Sequence, residues 1–124
     1  MHELSPDVFL KLVSSALENL PQTVHDALDN VEIVTQEWPS SEQVGSTEES
    51  DYYRLLGLYE GVPLVDRMNY TMVLPDKVTL FQRPLEAICA TRQDLQFEIQ
   101  ATIIHELAHH LGWGDEDIHR MGFG

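Results

Sequence analysis

Residues 102–115 read TIIHELAHHLGWGD, and two of their histidines are spaced to share an ion. His105 and His109 stand four apart in an apolar-periodic stretch with no Pro or Gly until Gly112, which predicts a helix. Four residues turn a helix by about 400°, so both imidazoles leave one face, one turn apart. There they can reach a single cation at about 2.0–2.1 Å from each nitrogen. Glu106, one step round from His105, points beside the pair, where a general base for a metal-bound water should stand.

Two histidines do not complete a metal site, and the residues just downstream offer the missing donor. Gly112 suits a left-handed helix end, and Gly114 allows a second sharp turn. Asp115 is open to two readings: an oxygen ligand swung back to the ion, or the N-cap of a helix over the following EDIHR. Three protein ligands would leave a fourth tetrahedral position for water, as at a catalytic zinc rather than a closed structural one. His119 is an alternative third ligand, whereas His110 points about 100° away from His109 and is not expected to share the ion. The HExxH pattern alone is short enough to arise by accident, but the added Gly and acid make HExxHxxGxxD far rarer.

Composition narrows the classes. At 124 residues the chain is expected to be a single domain, 1–124, able to bury one core without staples. Twenty-one acids against seven bases give a net charge of −14, which argues against nucleic-acid binding and against docking on anionic lipid. Such acidity favours solubility and draws divalent cations or basic peptides. With one cysteine, Cys89, set in the apolar run PLEAICA, no internal disulfide is possible, and a buried small hydrophobe is expected there. The N-terminal stretch has no basic leader, and no apolar run reaches membrane-spanning length, so a cytoplasmic location is expected.

The elements that must position the motif follow from periodicity and punctuation. Ser5-Pro6-Asp7 opens a first helix that Pro21 ends, with a short helical turn expected over 21–28. Val31 to Gln36 alternates as a strand closed by Trp38-Pro39. Residues 40–51 are polar and acidic and predict a loop, either a lid or featureless. Tyr53 to Tyr59 predicts a strand bent at Gly57, and turn chemistry at 60–63, a short extended piece at 64–65, a bend at 66–69 and an apolar run at 70–74 follow. Lys77 to Gln82 reads as a strand, and Pro84 starts a short helix. Thr91 then caps a helix of about twenty residues, long enough to span the domain. Leu95, Ile99, Thr102, Ile103, Leu107 and Leu111 form its expected buried stripe.

His105, Glu106, His109, Gly112 and Asp115 match the HExxHxxGxxD signature, and the chain resembles the mini-zincins, minimal zincin-like metallopeptidase domains of bacteria. The segments LLGLYEGVPL, KVTLFQRPLE and HELAHHLG stand in that family's order, so the resemblance covers about residues 52–117. It implies an α+β fold: a small twisted mixed sheet packed on a long active-site helix, with an N-terminal helix. It further implies zinc held by His105, His109 and Asp115, and Glu106 polarising water for hydrolysis of a peptide bond. In zincins the edge strand pairs with an extended peptide substrate, and KVTLFQ is the candidate for that strand. The chain departs from metzincins, which have a third His where Asp115 stands and a later Met-turn. Met121 lies too close to the motif to form that turn, so the lower wall of a full cleft is expected to be missing. A homodimer, or residues Met121 to Gly124 folding under the site, would supply part of it.

Two further readings compete with a zinc peptidase acting on a peptide or protein substrate. A zincin-like metal-binding or interaction module would keep the architecture without turnover, although decayed sites often lose the base first and Glu106 is present. A metal-storing protein would suit the acidity but not an open three-ligand geometry.

Overall fold

The computed structural model describes residues 3–61 and 75–123. In chain order the elements are α1 (Pro6–Glu18), α2 (Gln22–Ala27), β1 (Val31–Gln36), α3 (Ser41–Val44) and α4 (Glu49–Arg54). These are followed by β2 (Gly57–Glu60), β3 (Asp76–Phe81), α5 (Gln82–Ala87), α6 (Arg92–Leu111) and α7 (Asp115–Arg120). Local chemistry sets the principal ends. Ser5 Oγ accepts from the Val8 amide at 3.2 Å, with Pro6 at the first helical position. Thr91 Oγ1 accepts from the Asp94 amide at 3.0 Å to open α6, and Gly112 closes it in the left-handed region at φ +75°.

The fold is mixed α+β. Strand order is β1–β3–β2, with β1 parallel and β2 antiparallel to β3. Ile33 lies opposite Val78, and Tyr59 lies opposite Val78 from the other side, so the two-residue period places Val31, Ile33, Val78, Leu80 and Tyr59 on one sheet face. That face meets Leu95, Ile99, Ile103 and Leu107 of α6 and Phe9, Val13 and Ala16 of α1 in one core. Burying side chains of this size contributes about 1.5–3 kcal/mol each. Gln100 Nε2 also donates to the Ala16 carbonyl at 3.0 Å, tying α6 to α1. Among the described residues no helix is long and apolar enough to cross a membrane.

Several expectations are corrected. Residues 40–51 are not a plain loop, because Ser40 and Gln43 cap each other reciprocally (3.1 and 2.8 Å) to start α3, and Gly45 at φ +73° ends it. Helix α4 then runs to Arg54, so the strand expected from Tyr53 begins only at Gly57. The strand at KVTLFQ starts at Asp76 and stops at Phe81, with Gln82 and Arg83 already in α5 ahead of Pro84. It is also not the edge. β3 pairs on both sides, and Val78, Thr79, Leu80 and Phe81 are fully buried, as a central strand requires. Among the described strands the edges are β1 and β2, and β2 is the one laid on the motif-bearing end of α6. Leu111 leaves the buried stripe at 48% exposure, as the last residue of α6 before Gly112 ends the helix. The expectations for residues 62–74 lie outside the described residues.

A polar network absent from the pattern reading fastens the N-terminal segment. Arg83 donates to Glu37 (3.2 and 3.0 Å), to Glu86 (2.8 Å) and to the Leu4 carbonyl (2.9 Å), while Glu86 accepts from the Leu4 amide at 2.9 Å. The bond to Glu86 leads in raising the Arg83 pKa above its ordinary value, partly opposed by burial and reinforced by Glu37.

Candidate functional site

The site is assembled where β2 lies across α6. Gly57 makes that approach possible: a Cβ there would stand 2.5 Å from Thr102 Cγ2 and 3.7 Å from Glu106 Cγ. The Phe81 amide donates to the Leu56 carbonyl at 3.0 Å, so Leu56 and Phe81 are a hydrogen-bonded pair of the antiparallel ladder. Alternation then turns the backbone groups of Gly57 and Tyr59 away from β3. The Tyr59 N–H is directed at α6, where it donates to Glu106 Oε1 at 3.0 Å.

His105 and His109 are both exposed on α6, and neither is engaged by a hydrogen bond or ion pair with a described residue. Glu106 is half-buried between them and the sheet. Arg54, Leu55, Leu56, Gly57, Thr102, His105 and Glu106 line a cleft of about 240 Å³. A larger cleft of about 490 Å³, lined by Gln36, Glu42, Leu58, Glu60 and Lys77 among others, belongs to the opposite sheet face and contains no imidazole.

Asp115 is the first residue of α7, and the cap position belongs to Gly114. The N-cap reading of Asp115 is therefore corrected: Asp117 Oδ2 accepts from the Gly114 amide at 3.1 Å. Arg120 pairs with Glu116 (3.5 Å) and Asp117 (3.9 Å), which leaves the exposed Asp115 carboxylate as the acid of this turn with no described partner. His119 is exposed on α7 and likewise unengaged. Among the described residues, no three His, Cys, Asp or Glu side chains are gathered closely enough to hold an ion. The donor chemistry still fits zinc, since two imidazoles and one carboxylate, all uncommitted, are the ligand types of an open three-ligand site.

Sequence reasoning missed Tyr59, Asp76 and the part played by His110. The Tyr59 ring stacks on His110 with centroids 4.0 Å apart and planes 15° from parallel, and its hydroxyl donates to Asp76 Oδ2 at 2.7 Å. His110 Nε2 lies 3.9 Å from the same Asp76 oxygen. Nothing in an apolar run or a Pro-Asp turn signals that these three meet. Cys89 is buried, as its apolar setting implied, and desolvation, followed by the charges of Glu98 and Asp94, pushes its thiol up to about 11.

A profile of zincin-like metallopeptidases matches residues 28–124. No curated protein matches the chain. Among solved structures, a conserved hypothetical protein from Thermo thermophilus is similar at 21% identity and a TM-score of 0.53, covering 87% of this chain and 94% of that one. That likeness supports the fold alone. With the family profile spanning most of its length, and with a three-stranded mixed sheet laid on a long helix, the chain belongs to the zincin-like metallopeptidase family.

Proposed function

We propose that this protein is a zinc-dependent peptidase in which His105, His109 and Asp115 hold the metal and Glu106 is the general base. The observation that carries this reading is the placement of Glu106: its carboxylate is anchored by the β2 amide of Tyr59, beside two exposed imidazoles one helical turn apart. When bound, zinc supplies a Lewis acid that polarises the scissile carbonyl and lowers the pKa of water.

The remaining chemistry belongs to this chain's own groups. Glu106 takes the proton of the attacking water on a carboxylate oxygen and delivers it to the leaving amine nitrogen. Strand β2, an edge among the described strands, pairs with β3 through Gly57–Glu60 and would offer its other side to the main chain of an extended peptide beside the cleft. Thr102 and Gly57, both buried, line the cleft beside Glu106.

The test is a peptide-library digestion with added zinc, run beside elemental analysis. Wild type is expected to bind about one zinc per chain and to cleave. His105→Ala should lose the metal, and Glu106→Gln should keep it while losing cleavage. Equal cleavage by wild type and Glu106→Gln would remove Glu106 from the base role, and no zinc in any reconstituted protein would remove the metal site.

A further inference from the structure

Glu106 and His110 are four residues apart on α6, so they lie one turn apart on the same face, and one residue of the neighbouring strand touches both. Tyr59 meets Glu106 through its backbone N–H and His110 through its ring, and its hydroxyl reaches Asp76 on β3. We propose that Tyr59 is a positioning residue for Glu106: its amide fixes one carboxylate oxygen, and its ring, held by His110 and Asp76, fixes the amide. This rests on Glu106 as the base of the proposed peptidase.

The division of oxygens supports the assignment. Oε1 accepts from Tyr59, while Oε2 accepts no hydrogen bond from any described residue and remains for water. The Tyr59 N–H faces away from β3, so ladder pairing does not consume it, and a carboxylate is the strongest acceptor it could meet. An unanchored glutamate would sample several rotamers about three flexible bonds; one held by a strand amide presents its second oxygen in one direction. His110 is then not a spare histidine beside His109 but the surface on which the anchoring strand is registered. An incoming peptide strand cannot use the Tyr59 N–H without displacing Glu106.

The experiment uses the full chain, ¹⁵N-labelled, with zinc added for kinetics. Exchange of the Tyr59 amide is compared in wild type and Glu106→Ala, and is expected to be on the order of tenfold faster once the carboxylate acceptor is gone. Tyr59→Ala is expected to lower kcat by about 10–100-fold with KM within about threefold, and Tyr59→Phe, which keeps the ring on His110, to retain most of kcat. An unchanged Tyr59 amide in Glu106→Ala overturns the positioning role, as does a Tyr59→Ala protein with full kcat or with KM alone raised. Should Tyr59→Ala not fold, the exchange comparison decides the matter, because Glu106→Ala keeps Tyr59 intact. A wild type that cleaves nothing refutes the peptidase reading, and the exchange measurement still decides separately whether Tyr59 holds Glu106.

Discussion

Glu106 and Asp115 are carboxylates of the same short motif, but they sit in contrasting surroundings. Glu106 is half-buried on a twenty-residue helix and bonded at 3.0 Å to the amide of an adjacent strand. Asp115 is exposed at the start of a six-residue helix, beyond two glycines, and its carboxylate bonds to no described residue. The contrast separates what a rigid element provides from what a hinge provides. The long helix sets its two imidazoles and the glutamate at fixed angles before any ion arrives. The turn through Gly112 and Gly114 sets the third proposed donor on a separate short helix, so it would have to be brought toward the imidazoles when an ion binds.

Three substitutions probe the two settings. The largest effect is expected at Leu107, which lies within the motif and is 1% exposed in the core. Leu107→Ala should cost about 2–5 kcal/mol in denaturant unfolding, by lost transfer free energy plus a cavity. A midpoint shift no larger than that of a surface mutant would mean that the motif helix is not bedded as described. Gly57→Ala comes next, because the new methyl would sit 2.5 Å from Thr102 Cγ2. Overpacking of this kind costs about 1–3 kcal/mol, read as a lower melting temperature, and an unchanged value would show that β2 is free to lift from α6.

The smallest effect on folding, and the most informative about the hinge, is expected from Asp115→Asn. With no described partner to lose, the metal-free protein should keep its stability to within about 0.5 kcal/mol. Its zinc affinity should nevertheless fall by about tenfold or more. Titration giving the wild-type affinity would take Asp115 out of the ligand set and bring His119 forward.

The long helix was legible because its signals are local: Thr91 before Asp94, an apolar period through Leu95, Ile99 and Ile103, and Gly112 at the end. The two short helices between Ser40 and Arg54 were not, since α3 is held by a Ser40–Gln43 cap without an apolar stripe. The alternation over 77–82 points to a strand but not to its central place in the sheet. Its alternation shows two faces, and no one-dimensional pattern says whether one or both of its edges are paired. Asp117, rather than Asp115, takes the capping bond because α7 begins one residue earlier than a cap at Asp115 would require, a shift within the usual uncertainty of helix ends.

Residue order was enough to specify the helix that carries His105, Glu106 and His109, its caps, and the one-turn spacing of the imidazoles. All of these follow from dihedral preferences and from hydrogen bonds that span only a few residues. It took the folded chain to bring Tyr59 to Glu106, to set His110 under that strand, to make Gly57 the point of closest approach, and to gather Leu4, Glu37 and Glu86 around Arg83. Most of those contacts join residues tens of positions apart, and their geometry depends on strand order and helix docking, which are set by the packing of the whole core.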